Sequence, residues 1–198
     1  KVGIRNKVLI LPTCVCSAET CRKVAELVDG AIYVSNQAGC SEVEQNLKIC
    51  YDMYSGFAAN PNIYGTILIG LGCEGCTPDK MKAEILKKTN KPLEVFVIQE
   101  EGGTTNTINK AAIAARKMLQ EASLVPKEEF PVSELFLGLE CGGSDATSGL
   151  AANPVVGKVS DMIVDLGGSA VMSETTEFIG AEHILAKRAA TPEIKKQI

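Results

Sequence analysis

The chain has 198 residues, 45% hydrophobic and 22% charged, enough for one large domain or two small ones. Acidic residues (24) exceed basic ones (20), giving a net charge of −4, and aromatics are 5% with no Trp. The basic stretch of a nucleic-acid binder and the stacking platform of a single-strand binder are both missing, so no nucleic-acid partner is expected. No apolar run approaches the roughly 20 residues of a membrane span, and the first residues are too polar for a signal peptide. A cytoplasmic location with no membrane partner is therefore expected. Eight Cys without a secretory signal read as thiols or metal ligands rather than a disulfide framework. The chain begins at Lys1 rather than Met, which suggests a piece of a longer polypeptide.

Apolar β-branched runs alternate with helical patterns along the chain. Residues 7–13 (KVLILPT) read as a buried strand, and 17–28 as a helix with Cys21, Val24, Ala25 and Val28 on one face. A strand over 31–35 follows. Ser41-Glu42-Val43-Glu44 has capping-box spacing and opens a helix whose apolar stripe is Val43, Leu47, Cys50 and Tyr54. Asn60-Pro61 breaks the chain before a strand over 64–71. Thr77 and Pro78 open a helix reaching about Lys88, with Pro at the first helical position. A fourth strand spans 93–99 and a long amphipathic helix 107–122.

The polar stretch 123–131 carries two prolines and reads as a linker. A strand over 134–139 follows it. Asn153-Pro154 then starts a helix with Val155, Val159, Met162, Ile163 and Leu166 inward. A short strand over 170–172 precedes a last helix over 177–189. Such alternation implies right-handed βαβ units and a mostly parallel, Rossmann-like α/β sheet with helices on both faces. The expected organisation is an α/β domain over 1–123, a linker over 124–131, and over 132–198 the start of a second βαβ unit that is cut short.

Ligands collect outside the carboxyl ends of parallel strands, and that rule sorts the cysteines. Cys21 and Cys50 fall on apolar helix faces and read as core. Cys14, Cys16, Cys40, Cys73, Cys76 and Cys141 follow strands, so all six are expected on one sheet edge. Cys73 and Cys76 form a C-x-x-C, which also admits a dithiol redox role, although no second pair supports a zinc ribbon. Gly70-Leu71-Gly72-Cys73-Glu74-Gly75 matches G-x-G-x-x-G, but the helix starts only after its third glycine, unlike a dinucleotide fingerprint.

The loop 140–149 (ECGGSDATSG) follows a strand with three glycines, three hydroxyls, two carboxylates and a thiol. Its backbone amides suit a carboxylate or phosphate. Gly142, Gly143, Ser144, Asp145, Thr147 and Ser148 are the candidate substrate-binding residues, with Asp145 facing a metal or a substrate hydroxyl. Residues 102–106, after the fourth strand, and 173–177, after the short strand at 170–172, read as similar polar loops. His183 is the one histidine, about ten residues past the strand end at Met172. It reaches the carboxyl edge only if 173–179 is a loop and Gly180 breaks the chain.

The run ECGGSDATSGLAANPVVGKVSDMIVDLGGSAVMSETTEFIGAEHIL (140–185) resembles the altronate/galactarate dehydratase family, which includes the sulfolactate sulfo-lyase large subunit. The opening GIRNKVLILPTCVCSA and the segment GLGCEGC resemble earlier motifs of the same family, so the likeness covers essentially the whole chain. It implies a lyase removing water, or sulfite, from a hydroxy acid, typically with iron(II). Thiol-rich sites also suit another divalent metal or an iron–sulfur cluster. On this reading Cys73, Cys141 and Glu140 are candidate metal ligands, and Glu174 and His183 candidate acid/base residues. The family usually carries a His before the Cys matching Cys40, where this chain has Asn36-Gln37-Ala38-Gly39. Family members are longer, which implies a missing remainder of the catalytic region and a small N-terminal domain or subunit. A catalytically incomplete substrate- or partner-binding fragment is the competing reading, and a homo-oligomer is left open.

Overall fold

Continuous apolar runs, buried on both faces, dictate the sheet. The computed structural model describes residues 2–198, which fall into two units, Val2–Glu128 and Glu129–Ile198. The first holds β1 (Lys7–Pro12), α1 (Val15–Leu27), β2 (Ala31–Tyr33), α2 (Glu44–Ala59), β3 (Ile63–Gly70), α3 (Pro78–Lys88), β4 (Leu93–Val97) and α4 (Thr104–Ser123). All four strands are parallel, in the order β2-β1-β3-β4. The expected α/β architecture is thus present.

The period-two pattern of β1 sends Val8 and Ile10 to one face and Leu9 and Leu11 to the other. Val8, Ile10, Ile67 and Ile69 pack with Cys21 and Val24 of α1 and with Ala111, Ala115 and Met118 of α4. Leu9, Leu11 and Leu68 pack with Cys50 and Tyr54 of α2 and Met81 and Ile85 of α3. Fully burying one such aliphatic side chain stabilises by about 1.5–3 kcal/mol. The order reverses at β1, placing a topological switch point between β1 and β3. Cys21 and Cys50 are buried in these layers, as expected.

Several local expectations are corrected. α2 begins at Glu44 with Val43 as N-cap and no side-chain cap, so the capping box does not form. Val43 is exposed. Thr77 does stand at the N-cap of α3 with Pro78 in the first turn, although its hydroxyl makes no cap bond. α4 starts at Thr104, which places 104–106 in helix rather than loop. Gly103, at φ +110, makes the turn a Cβ would strain, and the Thr107 hydroxyl donates to its carbonyl at 2.9 Å.

The second unit holds β5 (Phe136–Leu139), α5 (Asn153–Asp165), β6 (Ser169–Met172), α6 (Glu182–Ala186) and α7 (Pro192–Gln197). β5 and β6 pair in parallel as a separate two-stranded sheet. A π-helical turn over Ser148–Ala152 leads into α5. The expected helix over 177–189 is instead a 3-10 turn, Thr175–Phe178, then Gly180 at φ +88, then α6. No residue of this unit is buried. The apolar face of α5 expected inward is open: Val155 and Leu166 are each 62% exposed, Val159 and Met162 are exposed, and Ile163 is half-buried. The physical reason is that two strands cannot cover a helix stripe on both sides. Among the described residues no helix is long and apolar enough to cross a membrane.

Candidate functional site

The carboxyl edge of the first sheet is built from loops that bond one another. Val15 N donates to Ala38 O, Cys76 N to Gly39 O and Gly75 N to Cys40 O, joining the loops after β1, β2 and β3. Asn36, buried, donates through Nδ2 to Thr13 O at 2.9 Å and accepts Ala38 N–H through Oδ1. Gly39, at φ +88, is required here, because a Cβ would stand 2.1 Å from Thr13 O.

At the switch point sits a residue with no role assigned from the sequence. Glu74 is 5% exposed, and its carboxylate accepts the Thr13 hydroxyl at 2.6 Å and the amides of Leu71 (2.9 Å) and Gly72 (2.6 Å). Burial works to raise its pKa, yet the hydroxyl and amide donors outweigh burial and hold it below the usual carboxylate value. The amides of the G-x-G-x-x-G turn thus already hold an anion, the chain's own. That is the physical reason this loop does not have the form of a nucleotide cradle. A carboxylate flanked by glycines just after a strand was the available sequence signal.

The six cysteines expected in loops do not share one environment, and Cys16 lies within α1. Cys14, Cys16, Cys40, Cys73 and Cys76 follow strands of the first sheet, whereas Cys141 follows β5 of the separate sheet. Cys14 and Cys76 are buried, and Cys16, Cys40 and Cys73 exposed. Burial pushes the Cys76 thiol up to about 12. An attacking thiol needs a depressed pKa, so Cys76 is not the attacking member of the C-x-x-C.

In the second unit, a cavity of ≈ 520 Å³ opens at the carboxyl ends of β5 and β6, and Glu140, Cys141, Ser173, Glu174 and Arg188 contribute to its lining. The Cys141 amide donates to Glu174 Oε2 at 2.9 Å, joining the two strand ends. The Ser173 hydroxyl adds a second link, donating to Leu139 O at 2.8 Å. Glu174 adopts φ 61, ψ 52, the left-handed region that non-glycine residues seldom occupy and that tends to persist at functional sites. Cys141 Sγ lies 3.3 Å from Ser144 Oγ.

Three of the candidate residues, Glu140, Cys141 and Glu174, therefore converge on this cavity, while Cys73 belongs to the first unit. Asp145, expected to face a metal or a substrate hydroxyl, is exposed and turns one carboxylate oxygen to Thr147. Its Oδ1 accepts both the amide (2.7 Å) and the hydroxyl (2.6 Å) of Thr147, which lower its pKa, and Ser148 Oγ accepts its amide. Gly142 and Gly143 have open space where a Cβ would stand. His183 is exposed on α6 and does not line the cavity, although Gly180 does break the chain before it. Among the described residues no three His, Cys, Asp or Glu gather as a metal site. Arg188 and Ser173 were missed from the sequence.

Two family models divide the chain. Residues 1–123 match the D-galactarate dehydratase/altronate hydrolase second domain, and residues 132–198 the D-galactarate/altronate dehydratase C-terminal region. The chain is 36% identical to the (2R)-sulfolactate sulfo-lyase subunit beta of Chromohalobacter salexigens over 100% of its own length and 50% of the relative's. It is 34% identical to the altronate dehydratase of Bacillus subtilis, covering 99% of this chain and 41% of that one. With the L-threo-forming galactarate dehydratase of Escherichia coli the identity is 37%, over 70% of this chain and 28% of the relative. The chain spans half or less of the length of these curated relatives. It belongs to the D-galactarate/altronate dehydratase family of lyases.

Proposed function

We propose that this chain is part of the catalytic region of a hydro-lyase that dehydrates a sugar acid of the altronate or galactarate type. The observation that carries this reading is the Cys141 amide–Glu174 carboxylate link at the mouth of the second unit's cavity, made inside the segment 140–185. Dehydration removes a weakly acidic proton next to a carboxylate and expels a β-hydroxyl, so it needs a base, an acid and a seat for the carboxylate. Glu174 is placed to move a proton at the cavity wall, and Glu140 is the second carboxyl group there. The glycine-rich loop 142–148 leaves open backbone beside them. In this reading Ser144, Thr147 and Ser148 order the loop through its internal hydrogen bonds rather than by touching substrate.

Iron(II), or another divalent cation, enters this reading only with further donors brought to the cavity, because the described residues gather no three-donor set there. His183 serves as a base only if further chain brings it to the cavity. A remainder of the catalytic region and an N-terminal domain or subunit complete the enzyme, which acts in the cytoplasm. Sulfolactate desulfonation is the second reading, favoured by the 36% identity across the whole chain to a sulfo-lyase subunit.

The test assays the longest natural polypeptide containing this sequence on altronate, galactarate and sulfolactate, anaerobically, with iron(II) and with a chelator. Water loss from a sugar acid is the expected result. Sulfite release from sulfolactate alone would favour the second reading. Turnover indifferent to chelator would remove the metal.

A further inference from the structure

We propose that Arg188 is the residue that seats the substrate's carboxylate in the cavity of the second unit. This rests on the hydroxy-acid reading above and adds to it the end of the substrate that is recognised. The charged residues lining the cavity are Glu140, Asp161, Asp165, Glu174 and Glu177 on one side of the balance and Arg188 on the other. Five carboxylates repel an entering anion wherever it approaches them, so its charged end has one favourable place among the described residues.

Arg188 is suited to that place by more than its sign. Its side chain makes no ion pair or hydrogen bond among the described residues, despite five carboxylates around the same cavity. All its guanidinium donors are therefore available, and their planar fork matches a carboxylate bidentately. The backbone beneath it is fixed, since Arg188 N donates to Leu185 O at 2.8 Å in the turn that closes α6. With the carboxylate at Arg188, the hydroxyl-bearing carbons extend toward acidic walls, and hydroxyls donate readily to carboxylates. For a monocarboxylate such as altronate, the wall that repels one end holds the other. Lys187, the adjacent cation, does not line the cavity.

The experiment compares wild type, Arg188→Gln, Arg188→Lys and Lys187→Gln in the longest natural polypeptide, with altronate and galactarate as probes. Arg188→Gln should raise KM about tenfold or more with kcat within a few-fold, the signature of lost ground-state binding. Arg188→Lys should recover part of the loss, because a point charge replaces the fork. Lys187→Gln should leave both constants within about twofold, separating a seat from general charge attraction. A purely structural role would lower kcat and melting temperature together and would not be rescued by Lys, which overturns the proposal. So does an unchanged KM in Arg188→Gln while wild type turns over either acid. If wild type neither binds nor converts any hydroxy acid, the functional reading fails first and this inference falls with it. Should Arg188→Gln not fold, Arg188→Lys carries the test through its smaller KM rise, and no rise overturns the proposal.

Discussion

Residues 2–128 and 129–198 solve the burial problem differently. The first unit sandwiches a four-stranded sheet between two helix layers, and every residue from Val8 to Cys14 is shielded from solvent. The second pairs two strands, sets α5 beside them and buries nothing. Its candidate cavity nevertheless carries the groups that could do chemistry. The contrast teaches that scaffold and reactive groups are separable here: one unit has a core and a filled switch point, the other an open cavity and no core. An apolar stripe such as Val155, Val159, Met162 and Leu166 left in water opposes stability, so the second unit depends on something to cover it.

The strongest way to break the comparison is to cut it. Expressed alone, residues 2–128 should give a single cooperative urea transition. Residues 129–198 alone should show none, with strong binding of a hydrophobic dye. A cooperative melt from the second piece would refute the claim that it lacks a self-sufficient core.

Point substitutions sharpen the same contrast. Ile67→Ala, at a fully buried position of β3, should cost about 2–5 kcal/mol by urea denaturation, through lost burial and a residual cavity. Val159→Ala, on the exposed face of α5, should stay within about 0.5 kcal/mol in this chain. If the same valine costs as much as Ile67 in a longer polypeptide, that polypeptide covers α5.

Glu74 adds a pH-dependent term confined to the first unit. Its folded pKa lies below the ordinary value, so its stabilisation is present above the unfolded pKa near 4.5 and is lost as pH falls through the folded one. Glu74→Gln should remove that acid-side slope. It should also cost about 1–3 kcal/mol at pH 7, since one of three converging donors loses its acceptor. Melting temperature followed from pH 7 to pH 3 in both proteins checks it, and identical slopes would show that the buried carboxylate does not titrate with unfolding.

What was legible in the sequence follows the reach of each interaction. The strand–helix alternation lies in local periodicity, and all six expected strands exist, though β2 and β4 end two residues early. The identities of Cys21 and Cys50 as core followed from helix faces. The Thr13–Glu74 bond joins residues 61 apart, and the Asn36–Thr13 bond residues 23 apart, so no local pattern announced either. The stripe of α5 was visible as a pattern, yet a pattern says only that a face is apolar and not that a partner layer is there to receive it. The turn at Asp145 has a local cause, since Thr147, two residues on, offers it both a hydroxyl and an amide. Arg188 was passed over because an exposed arginine near a helix end is common, and only the cavity gives it a setting.

The smallest expected effect on stability is also the one that divides the two units most cleanly. A Cβ at Gly39 in the first unit would collide with Thr13 O at 2.1 Å, so even Gly39→Ala must distort the knot of loops. A Cβ at Gly142 in the second unit meets nothing within 4 Å and its backbone carries no positive φ, so nothing in the fold requires glycine there. Gly142→Val should therefore leave the melting temperature unchanged within error, a change of about 0.5 kcal/mol or less. If the loop 142–148 must let a substrate approach its backbone, the same valine should sharply lower turnover of altronate or galactarate, because its two methyls would fill the approach. Loss of stability in step with activity would mean that Gly142 serves the fold. Full activity in a stable Gly142→Val protein would mean that the substrate never comes near this loop, leaving Glu140, Cys141 and Glu174 as the remaining wall of the site.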